Sequence, residues 1–336
     1  MLSSSFDQVL ATLVVALAYL ALVRLADVNE REPIWSLLVA FVLGGAGAAA
    51  LHLSVDPVVL NFGTWPGTAL RELASFAALA VTFGILTEVG RLQGWSEVSD
   101  SVDGLIYGAA AGLGFACGEV IANLDPAASL TFATGGVVTA AGVSALTGLA
   151  QGVFGAILGA GFGLALTTSS RARWTWPLVA LVVAIAAHAG HELLAHGNAL
   201  GGDAALWRSR VALALPLIAV VAFGVYGLVS ERRAIARELS SEAADGYVTA
   251  DDLALLMNVG RRQLRYVGLL ASARVGRLRT VAALHNRQVM LALAKRRLSR
   301  LAAEPDRAQP DREVVALRRA ILITRARLDA ATETRR

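Results

Sequence analysis

Cysteine and lysine are almost absent from this chain of 336 residues. Cys117 is the single cysteine, and Lys295 is the one lysine among 30 basic residues. One cysteine excludes an internal disulfide framework and a cysteine-rich metal site. Charge is scarce over the first 230 residues, with 8 Lys/Arg and 14 Asp/Glu. The apolar fraction is 56%, with mean hydropathy +0.59, which excludes an ordinary soluble domain of this length. The N-terminus lacks the basic stretch of a secretory signal: Asp7 stands there, and Arg24 follows the apolar run instead of preceding it. Residues 9–23 are therefore expected to be an uncleaved first span.

What is present divides unevenly. From residue 231 onward there are 22 Lys/Arg against 12 Asp/Glu. The expected organisation is a membrane domain over 1–230 and a basic helical cytoplasmic tail over 231–336. The isoelectric point of 9.7 averages these unlike halves and carries no nucleic-acid signal.

A helix needs about 20 apolar residues to cross a bilayer. Runs of that kind fall at 8–24, 33–53, 70–93, 104–123, 140–167, 175–195 and 209–229. The charge-free stretch 128–167 admits two spans, or one span preceded by a piece broken near Gly135 and Gly136. The fold class is thus an all-α polytopic membrane protein of about seven helices, eight being the alternative. Arg24, Arg31, Arg91, Arg171, Arg173, Arg232 and Arg233 lie on one side in the seven-span arrangement. The positive-inside rule then puts the tail in the cytoplasm and the N-terminus outside the inner membrane. Arg208 and Arg210 are the exception, at the outer edge of the last span. No inverted repeat of the transporter kind is visible.

Polar residues inside apolar spans carry most of the functional information. They are Glu88, Glu119, Gln151, His188, His191 and Glu192. A carboxylate in hydrocarbon costs about 2.5–3.5 kcal/mol even on gentle insertion scales. Phe115 and Glu119 share a helix face, as do His188 and Glu192, each pair being four residues apart. At ~1.5 Å per residue, Glu119, Gln151 and His188 fall at similar heights in the outer half of the membrane. The glycines of the fourth span, Gly108, Gly112, Gly114 and Gly118, favour close helix approach. Arg71 and Glu72 read as interfacial, and Glu119 paired with His188 in a purely structural role is the plain alternative.

The order of these segments resembles the PrsW family of intramembrane proteases, within the broader CAAX-protease-like membrane superfamily. "DVNEREPIWSLLVAF" (27–41) resembles the family's acidic Glu-x-Glu-Pro loop, and "LTEVGR" (86–91) stands in place of its Glu-Glu-x-x-Lys motif. "DGLIYGAAAGLGFACGE" (103–119) matches the segment ending in Phe-x-x-x-Glu; "AQGVFGAILGAGFGLA" (150–165) sits where a histidine-bearing span is expected, and "HAGHE" (188–192) fits the last histidine position. Two positions depart from the pattern: Thr87 for the first glutamate and Gln151 for a histidine. The resemblance implies an endopeptidase that cleaves a membrane-anchored protein, such as an anti-sigma factor, with glutamate-activated water. Glu88 or Glu119 would be the base and His188 the partner of the water or oxyanion, with Gln151, His191 and Glu192 lining the site. No cofactor is expected. Zinc held by Glu119, His188 and Glu192 is the alternative, weakened because an amide at Gln151 is a poor zinc ligand. The departures also leave open a catalytically inactive homologue that binds a membrane partner as a scaffold.

In the tail, Thr249 and Asp252 fit a helix cap, and helices are expected over 278–303 and 312–333, separated by "EPDRAQPD". Lys295, Arg296, Arg297 and Arg300 are expected at a solvated or lipid-facing surface, with no nucleic-acid partner. The oligomeric state is open.

Overall fold

The computed structural model describes residues 2–26, 33–55, 64–93, 98, 100–122, 136–168, 171–196, 203–301 and 309–333. All regular structure among them is helical. The helices are α1 (Leu2–Ala26), α2 (Ile34–Ser54), α3 (Thr64–Gln93), α4 (Ser101–Ala122), α5 (Gly136–Thr167), α6 (Thr175–His196), α7 (Asp203–Ala244), α8 (Ala250–Met257), α9 (Val259–Ala271), α10 (Val275–Leu301) and α11 (Gln309–Glu333). A single 3₁₀ turn, Arg171–Trp174, precedes α6. Four stretches among the described residues, in α2, α4, α5 and α7, are long and apolar enough to cross a membrane; α1, α3 and α6 hold shorter apolar stretches. The charge-free region resolves into one continuous helix that begins at Gly136, while 128–135 lie outside the described residues.

Two compact units divide the chain, the first reaching Val225 and the second beginning at Tyr226. In the first, α4 is the central helix. Every residue from Val102 to Cys117 except Leu105 is buried. It packs along α2 on one side and α5 on the other, with α1 and α3 also against it, while α6 packs on α5 and α3. Between helices in lipid there is little hydrophobic driving force, so association depends on close packing and polar contacts. Here small residues allow backbone to meet backbone. A Cβ on Gly104, Gly108 or Gly112 would overlap the carbonyl oxygen of Gly159, Gly155 or Gln151 on α5. On the opposite side, one on Gly114 would overlap that of Phe41 on α2.

Polar groups reinforce this packing. The Tyr107 hydroxyl, fully buried, donates to Ser36 Oγ at 2.9 Å, and Ser36 donates to the Pro33 carbonyl at 2.7 Å. That chain ties the start of α2 to α4. Asp100 caps α4: its Oδ1 accepts from the N–H groups of Val102 (2.8 Å) and Asp103 (3.2 Å). Asp103 returns the bond, accepting from the Asp100 N–H at 3.3 Å, which is a reciprocal capping box.

The second unit is built around polar clamps. The helix expected to stop near 229 runs on to Ala244. It ends in a Schellman motif: Gly246, at φ +80°, donates to the Ala243 carbonyl and Tyr247 to that of Glu242. Thr249 caps α8, accepting from the Asp252 N–H at 3.1 Å as its spacing predicts. Glu242, fully buried, accepts from Arg318 on α11 (2.6 and 2.9 Å) and from Lys295 on α10 (2.8 Å). Lys295 is therefore a structural residue, and the expectation of a solvated or lipid-facing surface is corrected for it: a buried carboxylate needs its cation. Asp252 likewise accepts from Gln288 on α10 and Arg325 on α11. The two clamps place α10 and α11 antiparallel, over a core of Leu284, Leu291, Ala294, Val314 and Ile321. Burial, opposed in part by Asp252 and aided by Arg265 and Arg262, lowers the pKa of His285 to about 4. Its ring is thus neutral where it meets the Tyr266 hydroxyl at 2.8 Å.

The packing of α4 makes a contrast between glycines testable. Gly108→Ala is expected to lower the unfolding midpoint in detergent, because only backbone movement relieves the overlap, at a cost of about 1–3 kcal/mol or more. Gly84→Ala on α3, where nothing lies within 4 Å, should be neutral or stabilising by up to about 1 kcal/mol. Equal midpoints for the two variants would refute the central role of the α4–α5 contact.

Candidate functional site

Glu119 sits on the last turn of α4, on the face that its four-residue spacing from Phe115 sets. Phe115 is fully buried and shares a core with Phe76 of α3, Phe154 of α5 and Ala184 of α6. One turn further on, the face leaves this aromatic layer, and the Glu119 side chain is 20% exposed. Two other helices supply polar neighbours to its two oxygens. Gln151 on α5, itself buried, donates from Nε2 to Oε2 at 3.3 Å. Arg71 on α3 brings Nη2 to 3.9 Å from Oε1.

His188 and His191 lie one turn apart on α6, and both are buried. The His188 ring stands edge-on to Phe154 at 5.0 Å and to Phe76 at 5.5 Å. His191 lies 6.1 Å from Phe154. Gln151 and Phe154 are three residues apart on α5, so one helix face touches Glu119 through the first and the histidines through the second. The structure thus brings Glu119 and Gln151 into contact and sets both histidines against the adjacent aromatic layer. Glu88 lies in α3 and Glu192 in α6, but their side chains fall outside the described residues. Thr87, at the first departure from the family pattern, turns its hydroxyl back onto the Gly84 carbonyl at 2.8 Å.

His191 also borders a cleft of about 890 Å³ between α5, α6 and α7. Its other lining is apolar, as at Ala160, Val183, Ala187, Val211 and Leu215. A carboxylate with an amide and a guanidinium neighbour, two histidines and an apolar approach can position a water beside an apolar peptide segment.

Arg71 was not expected here. Its signal lies in the spacing: Arg71, Ser75, Leu79 and Thr82, Phe83, Leu86 share one stripe of α3, and every member after Arg71 is buried. An arginine at the head of a buried stripe points inward, toward whatever carboxylate the neighbouring helix offers.

Residues 32–225 match the protein-family model described as PrsW family intramembrane metalloprotease. No curated protein and no solved structure matches the chain. The family description names a metal, which agrees with the zinc alternative rather than with the cofactor-free expectation. Of the zinc alternative's three ligands, the side chains of Glu119 and His188 are described and that of Glu192 is not. Among the described residues no three His, Cys, Asp or Glu side chains converge as a metal set. Moreover, both oxygens of Glu119 already face nitrogen donors.

These two contacts should differ in strength. A double-mutant cycle between Glu119→Leu and Gln151→Leu, read as unfolding free energy in detergent, is expected to give a coupling of about 1 kcal/mol. The cycle between Glu119→Gln and Arg71→Gln should give less, roughly 0.2–1 kcal/mol, because Arg71 is 36% exposed. Zero coupling at Gln151 would remove the contact from the site.

Proposed function

The chain belongs to the PrsW family of intramembrane metalloproteases, and from that membership we propose that it is an endopeptidase cutting a membrane-anchored protein. The observation that carries the reading is the convergence of Arg71, Glu119 and Gln151 from three helices, beside a layer that holds His188 and His191. In this reading Glu119 takes the proton from an attacking water as general base, assisted by Glu88. His188 donates to the oxyanion that forms on the scissile carbonyl. The Gln151 amide and the Arg71 guanidinium hold the Glu119 carboxylate in place, and His191 and Glu192 line the site. Phe76 and Phe154 keep bulk water from the inner side of the histidines. In the zinc alternative, Glu119, His188 and Glu192 would hold the metal, which would polarise the scissile carbonyl.

The apolar cleft bordered by His191 suits the transmembrane segment of such a substrate, an anti-sigma factor being one example. Topologically, we favour a multi-pass protein of seven spans in the inner membrane, with the N-terminus outside. The protease-like domain then covers 1–230 and the basic tail 231–336 lies in the cytoplasm. Arg71 and Glu119, near the start of α3 and the end of α4, would both stand toward the outer face.

Co-expression with single-span candidate substrates tests the activity. Glu119→Gln should abolish cleavage while the protein remains folded in the membrane, and Glu88→Gln should reduce it. The combined change Thr87→Glu and Gln151→His restores the family pattern and should be tolerated or raise turnover. Cleavage that persists in Glu119→Gln would overturn the assignment of the base; turnover confined to the restored form would make the native chain an inactive homologue. Topology reporters fused at Ser5 and at Leu301 should report opposite sides of the membrane, and agreement between them would refute the seven-span arrangement.

A further inference from the structure

We propose that α9 is a lipid-contact helix that docks on an anionic lipid surface. The proposal is independent of the protease reading.

The inner edge of α9 is anchored within the second unit. Arg262 is buried, and the Tyr266 hydroxyl meets His285 of α10 at 2.8 Å. These two positions are four apart and define one face. The outer face is apolar where a soluble helix would be polar: Leu264 is 72% exposed, Val267 60% and Leu270 59%. Their three-residue spacing forms a continuous stripe. Exposed arginines flank it, Arg261 and Arg265 on the helix, then Arg274, Arg277 and Arg279 just beyond. An exposed apolar stripe bordered by arginine is the pattern of a helix lying in the membrane interface.

Charge selects the occupant. From residue 253 to residue 303 the chain has no Asp or Glu at all. A second copy presenting the same face would meet like charge, which opposes a symmetric pairing through it. Anionic headgroups attract the arginines, and acyl chains accept the stripe. α7 runs without a break from its apolar stretch into the second unit. A helix already folded and held by Arg262 and Tyr266 loses little further entropy on docking.

The test uses the full chain in nanodiscs. With Cys117→Ala as background, a spin label at Val267→Cys reports exposure to a water-soluble nickel reagent and to oxygen. In discs with about 30% phosphatidylglycerol the label should be shielded from nickel and open to oxygen. In phosphatidylcholine alone, or at roughly 1 M salt, the preference should reverse. Replacing Arg261, Arg265, Arg274 and Arg277 by glutamine should weaken docking by about fivefold per arginine. Amide exchange of residues 261–271 in the unmodified chain, slower in anionic than in neutral discs, checks the result without any substitution. Equal nickel exposure and equal amide exchange in both lipids would overturn the proposal. So would label-to-label coupling between two copies that is independent of lipid composition.

Discussion

The first unit depends on how closely α4 approaches its two neighbours. Backbone carbonyls of α2 and α5 occupy the space where side chains of α4 would stand. Hydrocarbon offers helices no hydrophobic reason to leave lipid for one another, so dense packing has to supply the attraction. Alternate small residues along α4 permit that packing on both sides at once. The close contact also carries a functional consequence. It sets Gln151 of α5 beside the last turn of α4, where Glu119 lies, so the amide reaches the carboxylate.

An ionisable group at the end of such a helix has two neighbours in tension. Below it lies an aromatic layer that excludes water, formed by Phe76, Phe115 and Phe154. Above it α3 begins, and Arg71 brings a positive charge. Glu119 is thus held at the boundary between an apolar interior and a polar rim. A general base in a membrane needs the same location: dry enough for the substrate segment, polar enough to keep a carboxylate and a water. The histidines meet the aromatic layer from α6, so that polar groups of four helices, α3 to α6, lie on or beside that layer.

The second unit solves a different problem by related means. Besides its apolar core, two acids, the buried Glu242 and the partly buried Asp252, are each held by side chains of two helices at once. Glu242 recruits the single lysine of the chain together with Arg318, and Asp252 recruits Gln288 and Arg325. Those clamps consume charges that look free in the sequence. They leave Arg261 and Arg265 of α9, and Arg274 in the turn after it, exposed.

The resemblance to the PrsW family was legible from short motifs alone, and the family match over 32–225 bears it out. Apolar runs announced the helices because lipid or a dry interior demands about 20 such residues in a row. The glycine pattern of α4 announced its close contacts, and Thr249 with Asp252 announced the cap of α8, since both effects act within a few residues. The single-helix character of Gly136–Thr167 and the continuation of α7 to Ala244 were not legible, because hydropathy marks where a membrane can hold a helix, not where the helix ends. The partners of Glu119, Glu242 and Lys295 were beyond reach for a stronger reason. Each is 32 or more residues away along the chain, at Gln151, Arg318 and Glu242. Sequence by itself determined where apolar helices form, which faces of α4 approach closely, and that Glu119 requires a polar neighbour. Only tertiary structure decided which neighbour it has, because a pairing between helices depends on their relative rotation and height, and no local pattern encodes those.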